Sequence, residues 1–168
     1  MKRIVAATVM VLVAVVVILL NNHKTVPKLF VANMTFETRS DLFYAYEITR
    51  YPTSVEVAPI KPEENVTVGV VVDPWNLKFG IVPAGNNFAT RFVDLANLRE
   101  KPAKVMFYVY GNISPFVNFS RSELLLEAGR NVTVEVKFYA SRATIGNYTG
   151  EIQVVVQRPK YDFLYAFW

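Results

Sequence analysis

The sequence predicts an all-β protein, an antiparallel β-sandwich preceded by one N-terminal transmembrane helix. Short runs rich in Val, Ile, Phe, Tyr and Thr, the residue types that favour strands, recur through most of the chain. Clusters of Gly, Pro, Asn and Asp separate these runs at the spacing of about 8–12 residues that is typical of sandwiches. Residues 4–20 differ from all that follows, because they read IVAATVMVLVAVVVILL and contain no charge.

The apolar run at residues 4–20 predicts a signal-anchor helix within residues 1–22. A helix of this length spans roughly 25 Å, close to the thickness of the hydrocarbon core of a bilayer. A cleaved secretory signal has a shorter apolar core and ends in small residues, whereas this run ends on two leucines. An uncleaved anchor is therefore favoured, with cleavage that leaves a mature N-terminus between residues 22 and 28 as the alternative.

Asparagines in the pattern N-x-S/T predict that the chain after the helix is exported. The pattern marks candidate acceptors of N-linked glycans, which lie at exposed positions of exported proteins. Alternation in strands also places Asn and Thr on one polar face, so this alternative stays open. Lys2 and Arg3 ahead of the helix weakly favour a cytoplasmic N-terminus. We therefore expect a single-pass protein of the cell membrane with an extracellular C-terminal domain. The candidate acceptors are six of the twelve asparagines: Asn33, Asn65, Asn112, Asn118, Asn131 and Asn147.

Composition excludes several classes of chemistry. The chain has no cysteine, which removes disulfides, thiol catalysis and thiolate zinc sites. Its sole histidine, His23, lies shortly after the apolar run, where it cannot serve a Ser-His-Asp triad. The acidic residues are spread over predicted turns and strands, and the net charge of +4 is dispersed rather than gathered into a basic patch. We therefore expect no enzymatic activity, no metal, no cofactor and no nucleic acid.

Residues 23–52 are predicted to form a membrane-proximal strand segment. Apolar and polar residues alternate at residues 30–37, which predicts a strand, and residues 39–41 predict a turn. Residues 42–51 predict a second strand, for which a short helix is the alternative. Pro52 is expected to end it, because proline cannot donate a hydrogen bond to a neighbouring strand.

Residues 53–160 are predicted to form the sandwich itself. Apolar runs and turn clusters succeed one another here without a helical period. A domain of this length is large enough to bury its own core. The predicted strands cover residues 54–60, 65–72, 77–82, 87–95, 104–110, 131–140 and 148–157, and the turn clusters cover residues 83–86, 99–102, 128–130 and 145–147.

A resemblance to a known domain family begins in the middle of the chain. The motifs that carry it are L-x-F-G-x-V-x-x-G from Leu77, R-x-V-x-L-x-N from Arg91, L-x-x-G from Leu126, V-x-V-x-F from Val134 and G-x-Y-x-G from Gly146. Together they resemble immunoglobulin-like domains of the major-sperm-protein and Hydin type. The resemblance implies a seven-stranded immunoglobulin-like sandwich that has no enzymatic activity and serves as a scaffold or docking module. Similar domains occur in exported surface proteins of archaea.

Four single residues in this region have expected structural roles. Gly80 and Gly85 allow tight turns, and Asn97 is expected to tolerate left-handed backbone geometry at a strand end. Trp75 follows an Asp-Pro turn and is expected to fill one end of the sandwich core. The alternative for Trp75 is an exposed platform on which a sugar stacks.

The chain ends in an aromatic tail, residues 161–168. Chain termini are commonly polar and frayed, so an aromatic terminus calls for a specific contact. The tail could be a last strand packed on the membrane-proximal segment, a hook that pairs with the sheet edge of a partner, or an anchor at the membrane interface. The residues predicted to bind a partner are Tyr161, Phe163, Tyr165, Phe167 and Trp168.

The leading functional hypothesis is a non-catalytic, membrane-anchored protein that binds another protein of the envelope or of a membrane complex as a structural or accessory subunit. The second is a secreted filament or pilus subunit, in which leader cleavage frees residues 29–36 to complete the sandwich of a neighbour. A carbohydrate-binding or hydrolytic module is a third class, which would require clustered acids or an exposed aromatic row. An intact helix would support the first hypothesis and a cleaved one the second. The sequence leaves the oligomeric state open.

Overall fold

The structure is a computed structural model that describes residues 29–59 and 75–168. The predicted anchor at residues 4–20, His23 and the predicted strand at residues 65–72 lie outside these ranges. Within them, no helix is both long and apolar enough to cross a membrane.

The described chain is all-β, as predicted. It contains nine strands and three short 3-10 helices. Nine strands exceed the seven that the family resemblance implies. The strands are β1 (Thr35–Ser40), β2 (Tyr44–Ala58), β3 (Gly80–Pro83), β4 (Phe88–Ala96), β5 (Ala103–Gly111), β6 (Val117–Phe119), β7 (Glu123–Leu126), β8 (Asn131–Tyr139) and β9 (Gly146–Pro159). The 3-10 helices cover Ser114–Phe116, Ala140–Arg142 and Asp162–Phe167.

These strands form two sheets. Sheet A has the strand order β1-β2-β9-β5-β7, and β3 pairs with β2 outside this path. Sheet B has the order β4-β8-β6. Every pairing is antiparallel except the short parallel pairing of β2 with β3. The expected antiparallel arrangement is therefore correct for all but one strand pair.

β2 is one continuous strand where the sequence predicted two strands separated by Pro52. Pro52 lies opposite Glu151 of β9, and its carbonyl accepts a hydrogen bond from the N–H of Leu77 on the other side of the strand (3.1 Å). The nitrogen and the carbonyl of one strand residue point the same way, so the missing N–H of proline faces away from β9 and no bond to β9 is lost. The expectation that Pro52 ends the strand was therefore wrong.

The strand predicted at residues 30–37 begins later than expected. β1 starts at Thr35, and the residues ahead of it are not in a strand. The N–H of Val31 donates to the side-chain carboxylate of Glu151 (3.1 Å) instead of to a neighbouring backbone. A long-range polar contact has replaced the strand pairing that the alternation predicted.

The core lies between the inner faces of the two sheets. Alternation directs every second side chain toward the opposite sheet, and in β8 it buries Val134, Val136 and Phe138 completely. The rings of Phe138 and Phe79 lie 5.8 Å apart in its centre. Burial of each large apolar side chain contributes about 1.5–3 kcal/mol. Every strand except β1 contributes to the core, which consists of Val55, Val57, Leu77, Phe79, Val82, Val93, Val105, Phe107, Ile113, Val117, Leu126, Val134, Val136, Phe138, Ala140, Ile152 and Val154.

Two glycines and one asparagine shape the ends of the strands. Gly80 and Gly85 have φ angles of 76° and 88°, which confirms the predicted tight turns. Asn97 does not adopt the expected left-handed geometry, since no described residue other than glycine has a positive φ. Its side chain is buried, and its Nδ2 donates to the carbonyls of Lys101 (2.9 Å) and Leu126 (3.0 Å). Asn97 thus ties the loop after β4 to the end of β7 through its amide group.

Candidate docking site

The aromatic tail forms a 3-10 helix, Asp162–Phe167, which includes the predicted binding residue Phe167. Trp168 stacks on Tyr44 at the start of β2, with ring centroids 6.1 Å apart and ring planes 17° apart. The tail therefore packs on the segment predicted to be membrane-proximal. The strand that the packing and edge-pairing interpretations expected does not form, because the backbone of the tail bonds to itself.

The side chains of the tail divide into a packed group and an exposed group. Tyr165 packs against Trp168, with ring centroids 5.8 Å apart, and the Nζ of Lys101 lies 5.3 Å from the centroid of the Tyr165 ring. Tyr161 and Phe163 stack on each other at 5.9 Å and are 47% and 63% exposed. The packed group holds the tail in place, and the exposed pair is accessible to a partner.

A groove of about 540 Å³ opens between the tail and β7 on the outer face of sheet A. An ion pair between Lys104 and Glu123 (2.6 Å) lies within it, and the half-exposed Leu125 gives it an apolar wall. The residues of this tail groove are Tyr44, Lys104, Glu123, Leu124, Leu125, Gln157 and Trp168.

β7 is an edge strand of sheet A in the part of the chain that the structure describes. The N–H of Phe107 in β5 donates to the carbonyl of Ser122, just ahead of β7 (2.9 Å). Hydrogen-bonded residues alternate along an antiparallel pair, so the backbone groups of Glu123 and Leu125 point away from β5. These two N–H and two C=O groups border the tail groove and can pair with an added strand.

Tyrosines cover the outer face of sheet A next to the tail groove. Tyr46 is almost completely buried and donates its hydroxyl to the carboxylate of Asp41 (2.8 Å). Burial, followed by this hydrogen bond, raises the pKa of Tyr46 far above its usual value. Burial also raises the pKa of Tyr108 and of Tyr110. All three hydroxyls are therefore neutral at physiological pH and present donors rather than charges.

At the other end of this face, Glu151 holds the entering chain. Its carboxylate is completely buried and accepts hydrogen bonds from Arg50 (2.6 and 2.8 Å) and from the side chain of Gln153 (2.7 Å). It also accepts the backbone N–H of Val31 (3.1 Å), while Arg50 donates to the carbonyl of Leu29 (3.1 Å). Several charge-assisted bonds offset the cost of burying this carboxylate. The chain that follows the predicted anchor is thus fixed to the first half of β9, away from the tail.

The candidate glycan acceptors in the described chain all lie at exposed positions. Asn118 and Asn131 belong to sheet B, and the other three lie at the end of sheet A where Glu151 holds the chain. None of these five asparagines lines the tail groove. The five are Asn33, Asn112, Asn118, Asn131 and Asn147, whereas Asn65 lies outside the described residues.

The described residues give no support to a metal site, and Trp75 does not have its expected place in the core. Residues 29–59 and 75–168 contain no group of three or more His, Cys, Asp or Glu side chains that could hold a metal ion. Trp75 is 64% exposed, so the expectation that it fills one end of the core was wrong. Leu77 and Phe79, two and four residues further along the chain, are buried in the core instead.

Sequence reasoning identified the tail but missed the opposite wall of the groove. Lys104 and Leu125 meet only through the register of β5 with β7, and β7 is too short to give a clear alternating pattern. The burial of Glu151 was not predicted either, because a polar residue in an alternating strand is expected to face solvent. The three hydrophobic residues that end β7 were the one available signal for the groove.

No protein-family model, curated protein or solved structure matches this chain. The fold and the site define a class of protein, a β-sandwich with a groove at one sheet edge and an exposed aromatic pair on the tail that borders this groove through Trp168. Function is therefore inferred from this geometry together with the sequence.

Proposed function

We propose that this protein is a non-catalytic, membrane-anchored module whose immunoglobulin-like sandwich lies outside the cell and binds another protein of the envelope or of a membrane complex. Two observations carry the proposal. One is the unpaired edge backbone of the tail groove, and the other is the exposed aromatic pair, Tyr161 and Phe163, on the tail that forms one wall of the groove through Trp168. The apolar run at residues 4–20 supports membrane attachment. The sequence resemblance supports the immunoglobulin-like class and a docking role.

The chemistry of the tail groove favours an extended segment of a partner protein. The outward backbone groups of Glu123 and Leu125 offer hydrogen bonds to one added strand. The side chain of Leu125, together with Tyr161 and Phe163, offers apolar and aromatic contact, the kind that dominates binding energy at protein interfaces. Backbone pairing would supply affinity, and the aromatic contacts would supply selectivity.

The positions of the candidate glycan acceptors are compatible with binding at the tail groove. Glycans on the five described acceptors would cover sheet B and the end of sheet A where the chain enters. They would leave the tail groove uncovered, because none of the five asparagines lines it. Glycans on these five residues would therefore leave the groove accessible to a protein partner.

The filament alternative receives less support. Its donor segment, residues 29–36, is already engaged within the protein, since the N–H of Val31 bonds to Glu151 and Phe36 pairs with Thr49. A donor strand must be free to enter a neighbouring subunit. Release of this segment would break the buried contacts of Glu151.

Co-purification from the native membrane tests the docking site. We expect the double variant Tyr161→Ser, Phe163→Ser to lose the partner while the sandwich stays folded, because both side chains are exposed. The matched control is Phe88→Ser, Phe92→Ser, which removes aromatic side chains of similar exposure (60% and 61%) from sheet B. Equal partner recovery with both double variants would sink the proposal. Deletion of residues 161–168 should likewise abolish co-purification and leave the sandwich folded.

The intact mass of the native protein, before and after deglycosylation, tests anchoring and export. We expect a mass that retains residues 1–22 and decreases on deglycosylation. A mass that lacks these residues would favour the secreted filament subunit. An intact and unmodified mass would remove the support that the candidate acceptors give to an extracellular location.

A further inference from the structure

β1 forms the edge of sheet A opposite β7, and in the described part of the chain no strand pairs with its outer side. The N–H of Asp41 donates to the carbonyl of Tyr44 (3.0 Å) at the turn that joins β1 to β2. Because hydrogen-bonded residues alternate in an antiparallel pair, the backbone groups of Phe36, Thr38 and Ser40 point outward. Three N–H and three C=O groups therefore line an open edge.

This edge lacks most of the features that usually prevent edge-to-edge association. Proteins protect exposed edges with charged side chains, above all lysine, or with proline, bulges or very short strands. The two charges of β1, Glu37 and Arg39, have opposite signs and can attract a matching strand. β1 contains neither lysine nor proline, and its register with β2 runs without a bulge from Thr35 to Ser40. Phe36 is 62% exposed beside the open backbone. The edge is thus competent to pair with another strand.

The sequence of β1 is complementary to itself in one antiparallel register. Consider β1 paired antiparallel with β1 of a second copy, so that the two Thr38 residues face each other. Residues opposite one another then have numbers that sum to 76. Glu37 of one copy then faces Arg39 of the other, and the same pair forms again across the axis. Thr38 faces Thr38, and Phe36 faces Ser40. Opposite charges and paired threonines are favourable cross-strand neighbours.

We propose that the occupant of this edge is a second copy of the chain, joined by antiparallel β1–β1 pairing. Glu37 and Arg39 already form an ion pair along the strand (2.6 Å) on exposed side chains. In the dimer the same groups would form an alternating cluster of four charges across the axis. The two six-stranded copies of sheet A would become one sheet of twelve strands, with β3 of each copy outside the continuous path.

The symmetry of this dimer is compatible with two anchors in one membrane. The twofold axis that relates two antiparallel edge strands is normal to the sheet, so the same face of sheet A points the same way in both copies. The entering chain is held on that face by Glu151, through Val31. Both proposed anchors would therefore leave from the same side. Confinement to one membrane raises the effective concentration, which matters because a single pair of edge strands buries little area.

Cysteine cross-linking of the full chain in membranes tests the register. The natural chain has no cysteine, so Thr38→Cys introduces one thiol per copy. Directly opposed residues have Cα atoms about 5.5 Å apart, which is within disulfide range. The matched control is Ser40→Cys, another exposed hydroxyl residue of β1, whose two copies would lie roughly 14 Å apart. We expect a dimer with Thr38→Cys under mild oxidant and almost none with Ser40→Cys.

Charge reversal in the Thr38→Cys background tests the occupant. Glu37→Arg would place arginines opposite one another, so we expect cross-linking to slow by about tenfold. Adding Arg39→Glu restores the complementary pattern with both signs exchanged and should restore the rate. Equal cross-linking of the two cysteine variants, no effect of Glu37→Arg, or no rescue by Arg39→Glu would each overturn the proposal. None of these changes touches the tail groove, so partner co-purification reports on the proposed function separately.

Discussion

The two halves of β2 are stabilised in different ways. Residues 52–58 lie over sheet B and bury Val55 and Val57 in the core, at 3% and 1% exposure. Residues 45–50 pair with β1, which contributes no residue to the described core. One strand therefore begins outside the sandwich and ends inside it.

The outer half of β2 buries Tyr46 almost completely but otherwise relies on polar pairing. Toward the sheet B side, Glu47 accepts hydrogen bonds from Arg158 (2.8 Å) and Arg99 (2.7 Å). On the opposite face, Arg50 bonds to the buried Glu151. Exposed ion pairs contribute about 1 kcal/mol or less, whereas burial of a large apolar side chain contributes about 1.5–3 kcal/mol. The inner half therefore contributes more to the stability of the domain.

This difference explains where the open surfaces lie. The β1 edge borders the outer half of β2, and Tyr44, at the beginning of that half, lines the tail groove. Contacts there are individually weak, so a partner can replace or rearrange them without weakening the core. One segment of β2 thus contributes to stability, and the other borders the proposed binding surfaces.

The largest loss of stability is expected from a substitution in the core. Phe138→Ala should lower the free energy of unfolding by about 4 kcal/mol, because it removes a completely buried ring and leaves a cavity. Phe92→Ala is the control, since Phe92 lies on the other face of sheet B and is 61% exposed. Urea denaturation measures both. Similar losses for the two variants would contradict the assignment of stability to the sandwich interior.

A smaller loss is expected at the polar end of the sheet. Glu151→Gln should lower the free energy of unfolding by about 2 kcal/mol, since it leaves the partly buried Arg50 without its counter-charge. It should also speed hydrogen exchange at the amide of Val31, which donates to this carboxylate. Glu56→Gln on an exposed side chain of β2 is the control. Unchanged exchange at Val31 in Glu151→Gln would show that the entering chain is held by something else.

Substitution of Tyr46 is expected to have the smallest effect on stability at neutral pH. At alkaline pH it should change how stability depends on pH. Its pKa is raised in the folded protein by burial and by Asp41, so above a pH of about 10 the unfolded chain loses this proton while the folded one keeps it. Stability is fully retained below pH 10 and falls as the pH rises beyond it, by up to about 1.4 kcal/mol per pH unit for this group.

Tyr46→Phe should therefore flatten the alkaline decline in stability without removing it, because burial also raises the pKa of Tyr51, Tyr108 and Tyr110. Urea midpoints at pH 8 and at pH 10 to 11 measure the slope. The variant at pH 8 serves as its own control, since loss of the hydrogen bond to Asp41 shifts both values equally. An unchanged slope would mean that Tyr46 is accessible to solvent in the folded state.

Local patterns in the sequence predicted most of the sandwich. Alternation and turn clusters located β4, β5, β8 and β9 closely, because these strands are long, half-buried and bounded by glycine, proline or asparagine. The same reasoning missed β6 and β7, which have three and four residues and are too short to establish a period. It ended β2 at Pro52, because the direction in which a proline nitrogen points depends on strand pairing and not on local sequence.

The candidate site was predictable only in part. The tail was found from its composition, since five aromatic residues at a chain end are conspicuous. The groove beside it depends on the pairing of Lys104 with Leu125 and on the stacking of Trp168 on Tyr44. The buried state of Glu151 likewise depends on partners 101 and 120 residues away in the chain. Contacts at such separations leave no periodic trace in one sequence.

The hydrogen bonds of Glu151 and Arg50 to the entering chain have a mechanical consequence. A force applied ahead of Leu29 would act first on these two bonds, which hold the backbone at Val31 and Leu29. Glu151 belongs to β9, the middle strand of the path through sheet A. Load therefore enters at the centre of the sheet rather than at the edge strand β1, which would otherwise peel away first. These hydrogen bonds would keep the force off β1, so that its open edge would retain its conformation.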